Sequence, residues 1–296
     1  MRELTAKPTL RIGGYQGENS VHTRALRRLA DVLGRAAGPG FELGLRPNIT
    51  DEGHRAADLL TMTEDGRLEL CYFASSYLAA RVPALDVLDL PFTYNDRAAI
   101  YRDLDGATGA RLSADVAAAT GYRVLAFWDN GFRHFSNRLR PIRGPEDCRG
   151  MRLRTLDNAR HQAVFAALGF EPIAIDVKDL VRAVERHEVD AQENPLTNTW
   201  NFGLHRTHRH VSLTSHFYGV ALLLMNRAWF DALREPAQAA LRAAAVDATA
   251  LQRELATADD THCLARLRED GVMVVPPQEI DSEAFRRAVA GIAGKP

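Results

Sequence analysis

The chain reads as an α/β protein with a largely parallel sheet, built in two lobes. Apolar runs of strand length alternate with amphipathic helical stretches from residue 9 onward. The alternation resumes after residue 122. At 296 residues the chain exceeds what one compact core usually holds, so two lobes are expected.

Residues 9–14 read as a buried strand ending in glycines, and Ser20 suits an N-cap. Val21, Ala25, Leu26, Leu29, Val32 and Leu33 then recur at helical spacing. Residues 41–45 alternate like a second strand, 54–62 suit a helix and 67–73 a third strand. Later strands are expected at 122–128, 152–154, 189–191 and 220–225, and helices at 159–168, closed by Gly169, and 177–186. From Pro236 to Asp270 there is no glycine and no second proline. Pro236 suits a first turn and Gly271 a helix end. Such a helix would be about 50 Å long at 1.5 Å per residue, enough to serve both lobes. The competing expectation is two shorter helices bent near residues 257–260.

Composition is that of an ordinary globular protein, with 46% hydrophobic and 25% charged residues. A formal net charge of −1 supplies no field to attract nucleic acid. Cys71, Cys148 and Cys263 lack zinc-ligand spacing, and an odd number excludes full pairing. No apolar run is long enough to cross a membrane. The first eight residues lack the apolar core of a leader, so either the chain is cytoplasmic or a leader was removed.

Residues 130–195 carry the chemistry. Asn130-Gly131-Phe132-Arg133 precedes Gly150-Met151-Arg152-Leu153-Arg154, and Val189-Asp190-Ala191-Gln192-Glu193-Asn194-Pro195 follows. Arginine presents a planar, always-charged fork that matches a carboxylate with two parallel hydrogen bonds. An Asn amide adds a neutral donor and acceptor. Two arginines and an amide beside strand ends suit holding a small organic acid without reacting with it. Arg152 and Arg154 share strand parity, so alternation cannot choose between them.

Other features have plainer readings. His205, His208 and His210 read as a polar surface segment and not a metal site. Gly13, Gly14 and Gly17 read as a strand-to-helix turn and not a phosphate loop. Asn48-Ile49-Thr50 fits a glycosylation pattern that is frequent by chance. Trp128 and Trp200 suit either a wall stacking on ligand or a core. Ser75 and Ser76 lack a nucleophile elbow, and no catalytic set, metal or cofactor site is expected.

Together these pieces resemble the solute-binding subunits of tripartite ATP-independent periplasmic (TRAP) transporters, the DctP-like family. The resemblance runs through Asn130 to Arg133, Ser136 to Ile142, Gly150 to Arg154, Ala167 to Pro172 and Val189 to Pro195. It extends to Leu90-Pro91-Phe92 and Thr214-Ser215-His216, with Ala191 where the family usually has glycine. It implies a periplasmic-binding-protein-like clamshell with a long helix spanning both lobes and ligand between them. Lobe I is then expected over residues 1–131, completed by about 218–256, and lobe II over 132–217, completed by about 257–296. Arg154 is similar to the family's main carboxylate-binding arginine, Arg133 to its second, and Asn194 to its ligand-reaching amide. Asp157, Tyr15, Phe73 and Ser75 lie where pocket walls contribute. The implied protein is a periplasmic, monomeric receptor that gives a small organic acid, such as a sugar acid, a C4-dicarboxylate or a related acid, to a TRAP membrane permease. The rivals are an enzyme acting on a carboxylate and a ligand-binding sensor for a signalling receptor.

Overall fold

The computed structural model describes residues 7–35 and 40–292. The leader question at residues 1–6 lies outside them. Two compact units emerge: residues 1–73, 105–128 and 221–255 form the first, and 74–104, 129–220 and 256–296 the second.

In the first unit, β1 (Thr9–Gly13) pairs in parallel with β2 (Glu42–Arg46) and β3 (Leu70–Ala74). The strand order continues through β8 (His210–Asn226) to β4 (Tyr122–Asn137). Helix Val21–Arg35 starts where Ser20 Oγ accepts the Thr23 amide at 3.0 Å. It buries Ala25, Leu26, Leu29 and Leu33, the stripe expected from spacing. The helix expected at 54–62 is instead a short turn, Ile49–Glu52, and a helix, Asp58–Glu64. Gly53 at φ 90° closes that turn, and Asn48 caps it by accepting from Thr50. The glycosylation-like asparagine is therefore a cap. A Cβ on Gly14 would stand 2.5 Å from the Pro47 carbonyl oxygen, so this glycine answers to packing.

In the second unit, β4 pairs antiparallel with β7 (Ala191–Asn194), which is followed by β5 (Arg152–Thr155) and β6 (Glu171–Ala174). β9 (Met273–Val275) adds in parallel to β8. Phe135, Phe165, Phe170, Phe217 and Phe285 fill the main core here. Helix Ala159–Ala167 is capped by Asn158 and closed by Gly169 at φ 94°, and Val177–Glu185 is capped by Asp176.

β4 and β8 are much longer than the apolar runs that announce them. Each passes from one unit into the other, as does one continuous helix, Glu235–Glu269. Ala237, Leu241, Ala244, Ala245 and Ala248 are buried along its first half. Gly271 follows at φ 75°. The three cysteines are free and buried, and burial pushes the Cys71 thiol up to about 12.

Candidate functional site

Arg133 lies within β4, not on a loop, because the strand runs through Gly131 to Asn137. Gly131 permits this. Its φ is 86°, and a Cβ there would meet Pro195 Cβ at 2.9 Å. Register pairs Phe135 with Glu193, which makes Arg133 a diagonal neighbour of Glu193. The Arg133 fork closes on that carboxylate: Nε donates to Oε2, and Nη2 donates to Oε1 at 2.8 Å and to the Glu193 carbonyl at 2.8 Å. His216 completes the group, with Nε2 3.4 Å from Glu193 Oε2 and its ring stacked on Phe135 at 4.1 Å.

Burial alone would raise the Glu193 carboxyl, but the Arg133 charge and the His216 hydrogen bond outweigh it and hold it well below the usual range. Burial pushes His216 down to about 4 against the pull of Glu193. At neutral pH this is a charged pair with a neutral imidazole beside it.

Arg154 is different. It sits on β5 at 2% exposure, and its Nε donates to the Ile175 carbonyl at 2.8 Å. Its other protein partner is the Tyr77 phenol. Burial raises that phenol while the Arg154 charge opposes, so Tyr77 stays a neutral group. Among the described residues Arg154 has no ion pair. Arg152, two positions earlier, is half-exposed and bound to Asp190 at 3.0 Å, the ordinary fate of a strand-end arginine. The turn Ser75–Tyr77 is tied to the end of β5, where Asn158 Nδ2 donates to the Ser76 carbonyl at 2.9 Å. Ser75 is fully buried, whereas Asp157 is exposed.

Asn194 is wired into the protein. Its Oδ1 accepts from Arg133 at 3.4 Å and from Asn198 at 3.2 Å, and its Nδ2 donates to Gln192 at 2.6 Å. One amide hydrogen is left over for a further acceptor. Gln192 continues the chain to Ser136 at 2.6 Å, and Ser136 meets His208 Nδ1 at 3.1 Å. The expected polar surface segment is thus corrected for two of its histidines. His205 and His208 are buried, and burial holds His208 at about 3. Among the described residues no cluster could hold a metal ion.

In the first unit, Tyr15 packs on Phe73 and Tyr72 with centroids 5.1 and 5.0 Å apart. Trp128 is core: it is 1% exposed and donates Nε1 to Thr249 at 2.9 Å. Trp200, in the second unit, is stacked on His205 at 4.3 Å with Arg266 over the same ring at 5.7 Å. Its partners are protein groups.

The family model for bacterial extracellular solute-binding proteins, family 7 (DctP), matches residues 12–295. This chain belongs to that family. The 2,3-diketo-L-gulonate-binding periplasmic protein YiaO of Escherichia coli is 29% identical over 284 residues, covering 96% of this chain and 85% of its own. The sugar acid binding protein DctPAm of Advenella mimigardefordensis, in complex with galactonate, superposes with a TM-score of 0.91 at 27% identity, covering 97% of this chain and 92% of its own. A TRAP periplasmic solute binding protein from Polaromonas sp. JS666, bound to D-erythronate, gives 0.90 at 28%, covering 96% and 92%.

For a family 7 protein, the second unit brings together Arg133, Asn194 and Glu193, with Arg154 and Tyr77 at the end of the neighbouring strand. Reading the sequence missed Glu193 and Tyr77 in this set, and His216 beside it. Glu193 stood inside a quoted motif without a role, yet an acid two residues past the expected strand 189–191 was a visible partner for a buried arginine. His216 was likewise quoted without a role. Tyr77 had no sequence signal, because it reaches Arg154 only through tertiary packing.

Proposed function

We propose that this chain is the periplasmic solute receptor of a TRAP transporter, that it binds a small organic carboxylate through Arg154, and that it is not an enzyme. The bound acid would pass to a membrane permease. The observation that carries the reading is Arg154 itself: a guanidinium at 2% exposure whose protein partners are a carbonyl and a phenol. A buried cation without a counter-charge is costly. An arriving carboxylate removes that cost and gains two charge-assisted hydrogen bonds. The relatives named above, which take sugar acids and a four-carbon hydroxy acid, support this chemistry.

In this reading Asn194 offers its remaining amide hydrogen, Arg133 braces the strand that carries the site, and Tyr77 orients the Arg154 fork. Tyr15, Phe73 and Ser75 are proposed as walls, and the receptor as a monomer. The test is a thermal-shift screen against organic acids and their amides, using protein unfolded and refolded to remove carried ligand. A true ligand at one hundred times its Kd adds about 2.7 kcal/mol of stability. Stabilisation by an acid and not by its amide is the expected result. Equal stabilisation by both would remove the carboxylate from the reading.

A further inference from the structure

Tyr77 meets Arg154 from a turn of three residues, Ser75–Tyr77, closed by one backbone bond from the Leu78 amide to the Ser75 carbonyl at 2.9 Å. A single 3-10 turn has poor hydrogen-bond geometry and holds its own shape weakly. Ser76, the residue before Tyr77, is gripped at both ends. Its hydroxyl donates to Asp89 Oδ1 at 2.7 Å. Its carbonyl, which belongs to the peptide joining it to Tyr77, accepts from Asn158 Nδ2 at 2.9 Å. Asp89 ends the helical turn Pro83–Asp89, and Asn158 caps the helix Ala159–Ala167. The first turn of that helix also supplies His161. Its Nε2 stands 3.0 Å from the same Asp89 oxygen, and its ring stacks on Phe217 at 4.3 Å. Ser76, Asp89, Asn158 and His161 are all buried. Asp89 Oδ2 has no hydrogen-bond partner among the described residues. A buried carboxylate with one idle oxygen is a costly way to hold a serine for packing alone.

We propose that Ser76 and Asp89 are positioning residues for the organic acid: through the Ser76–Tyr77 peptide they set the phenol against Arg154, and so aim the guanidinium fork that takes the carboxylate. This step rests on the function proposed above. The protein groups that orient Arg154 are the Ile175 carbonyl and the Tyr77 phenol. A displaced phenol leaves the fork free to turn, and two parallel bonds to a carboxylate need its plane fixed. Ser76 and Asp89 act on the acid without touching it.

The experiment is calorimetry on the refolded full chain. D-Galactonate and D-erythronate are the probes, replaced by the strongest acid of the thermal-shift screen where both are silent. Ser76→Ala is expected to weaken binding by about tenfold, the scale of one hydrogen bond to a charged group. In a Tyr77→Phe background the same change should weaken it by less than about threefold, because residues that act as a unit are not additive. Asp89→Ala should match Ser76→Ala. Asp89→Asn should recover most of that loss, because it keeps an accepting oxygen for Ser76.

A Ser76→Ala protein that melts lower yet binds as tightly as wild type would overturn the inference, since its serine is then structural only. Equal losses with and without the Tyr77 hydroxyl would overturn it as well. So would an Asp89→Asn variant as weak as Asp89→Ala, which would assign the effect to the Asp89 charge, a charge that also acts on Arg133. In all three cases the wild type still binds its acid, and the solute-receptor reading stands. Silence from every acid in the wild-type screen would overturn that reading, and this inference with it. If Asp89→Ala does not fold, the Ser76 and Tyr77 cycle decides the question.

Discussion

Arg133 and Arg154 look alike in the sequence and differ in what holds them. Truncating each should therefore damage a different property. Arg133→Ala leaves Glu193 buried and unpaired, which should cost about 3–5 kcal/mol of stability, read by urea denaturation without ligand. Arg154→Ala removes a buried charge that has no counter-ion, so the ligand-free protein should melt no lower than wild type. Its ligand affinity should fall by about 3 kcal/mol or more. Arg154→Lys should recover little of that loss, because an ammonium cannot form two parallel bonds to a carboxylate. Full affinity in the lysine variant would show that the fork is not used. At this scale the sequence showed which residue types suit a carboxylate. It did not show which arginine was already occupied, because the acid occupying Arg133 lies sixty positions away in the chain.

At the scale of elements, β4 shows what a motif does when it lies inside a strand. Asn130-Gly131 looked like a break after an apolar run. Instead Asp129 Oδ1 accepts the Gly131 amide at 2.6 Å, and the strand continues. Gly131→Ala would place a side chain at φ 86° and against Pro195, so a loss of about 1–3 kcal/mol is expected in thermal or urea unfolding. A neutral result would mean that the strand tolerates a shift there.

The same stretch is braced by a charge cluster. Asp129 Oδ2 accepts from Arg97 at 2.7 Å and from Tyr101 at 2.5 Å, and Arg97 also reaches Asp260 on the long helix. Burial pushes Asp260 up to about 6 despite Arg97. A carboxyl raised in the folded state contributes most when protonated, and that contribution is lost as pH rises from its ordinary value of 3.8 through about 6. Asp260→Asn should remove this loss and melt at or above wild type at pH 7.5. Asp129→Asn should melt lower, since Asp129 accepts three hydrogen bonds. A lower melting point for Asp260→Asn at that pH would mean its ion pair with Arg97 outweighs its burial.

For the whole molecule, acid should be more damaging than composition suggests. Burial holds His134 and His208 at about 3 and His216 at about 4, all below the ordinary 6.5. A histidine depressed in the folded state binds a proton on unfolding, so stability falls as pH drops below 6.5 and continues to fall until the folded values are reached. Glu193, held low by Arg133, loses its contribution as pH falls below its ordinary 4.5. Each histidine adds roughly 1.4 kcal/mol per pH unit between about pH 6 and 4. Urea titrations across that range should show unfolding coupled to the uptake of more than one proton. A flat profile would mean these imidazoles are charged in the folded state.

What the sequence determined by itself was periodic or composed of neighbours: the α/β alternation, the Ser20 cap, a glycine-free helical stretch before Gly271, and a family membership carried by motifs in fixed order. These are local because backbone hydrogen bonds and amphipathic faces are set by residues a few positions apart. The tertiary structure alone decided which charges are spent inside the protein. Glu193 neutralises Arg133, Asp190 takes Arg152, and Tyr77 meets Arg154, all between segments distant in sequence. It also carried β4 and β8 well beyond their apolar runs and buried His205 and His208 in a stretch that reads as polar surface. Burial and pairing depend on what folding brings alongside a residue, and those neighbours come from elsewhere in the chain.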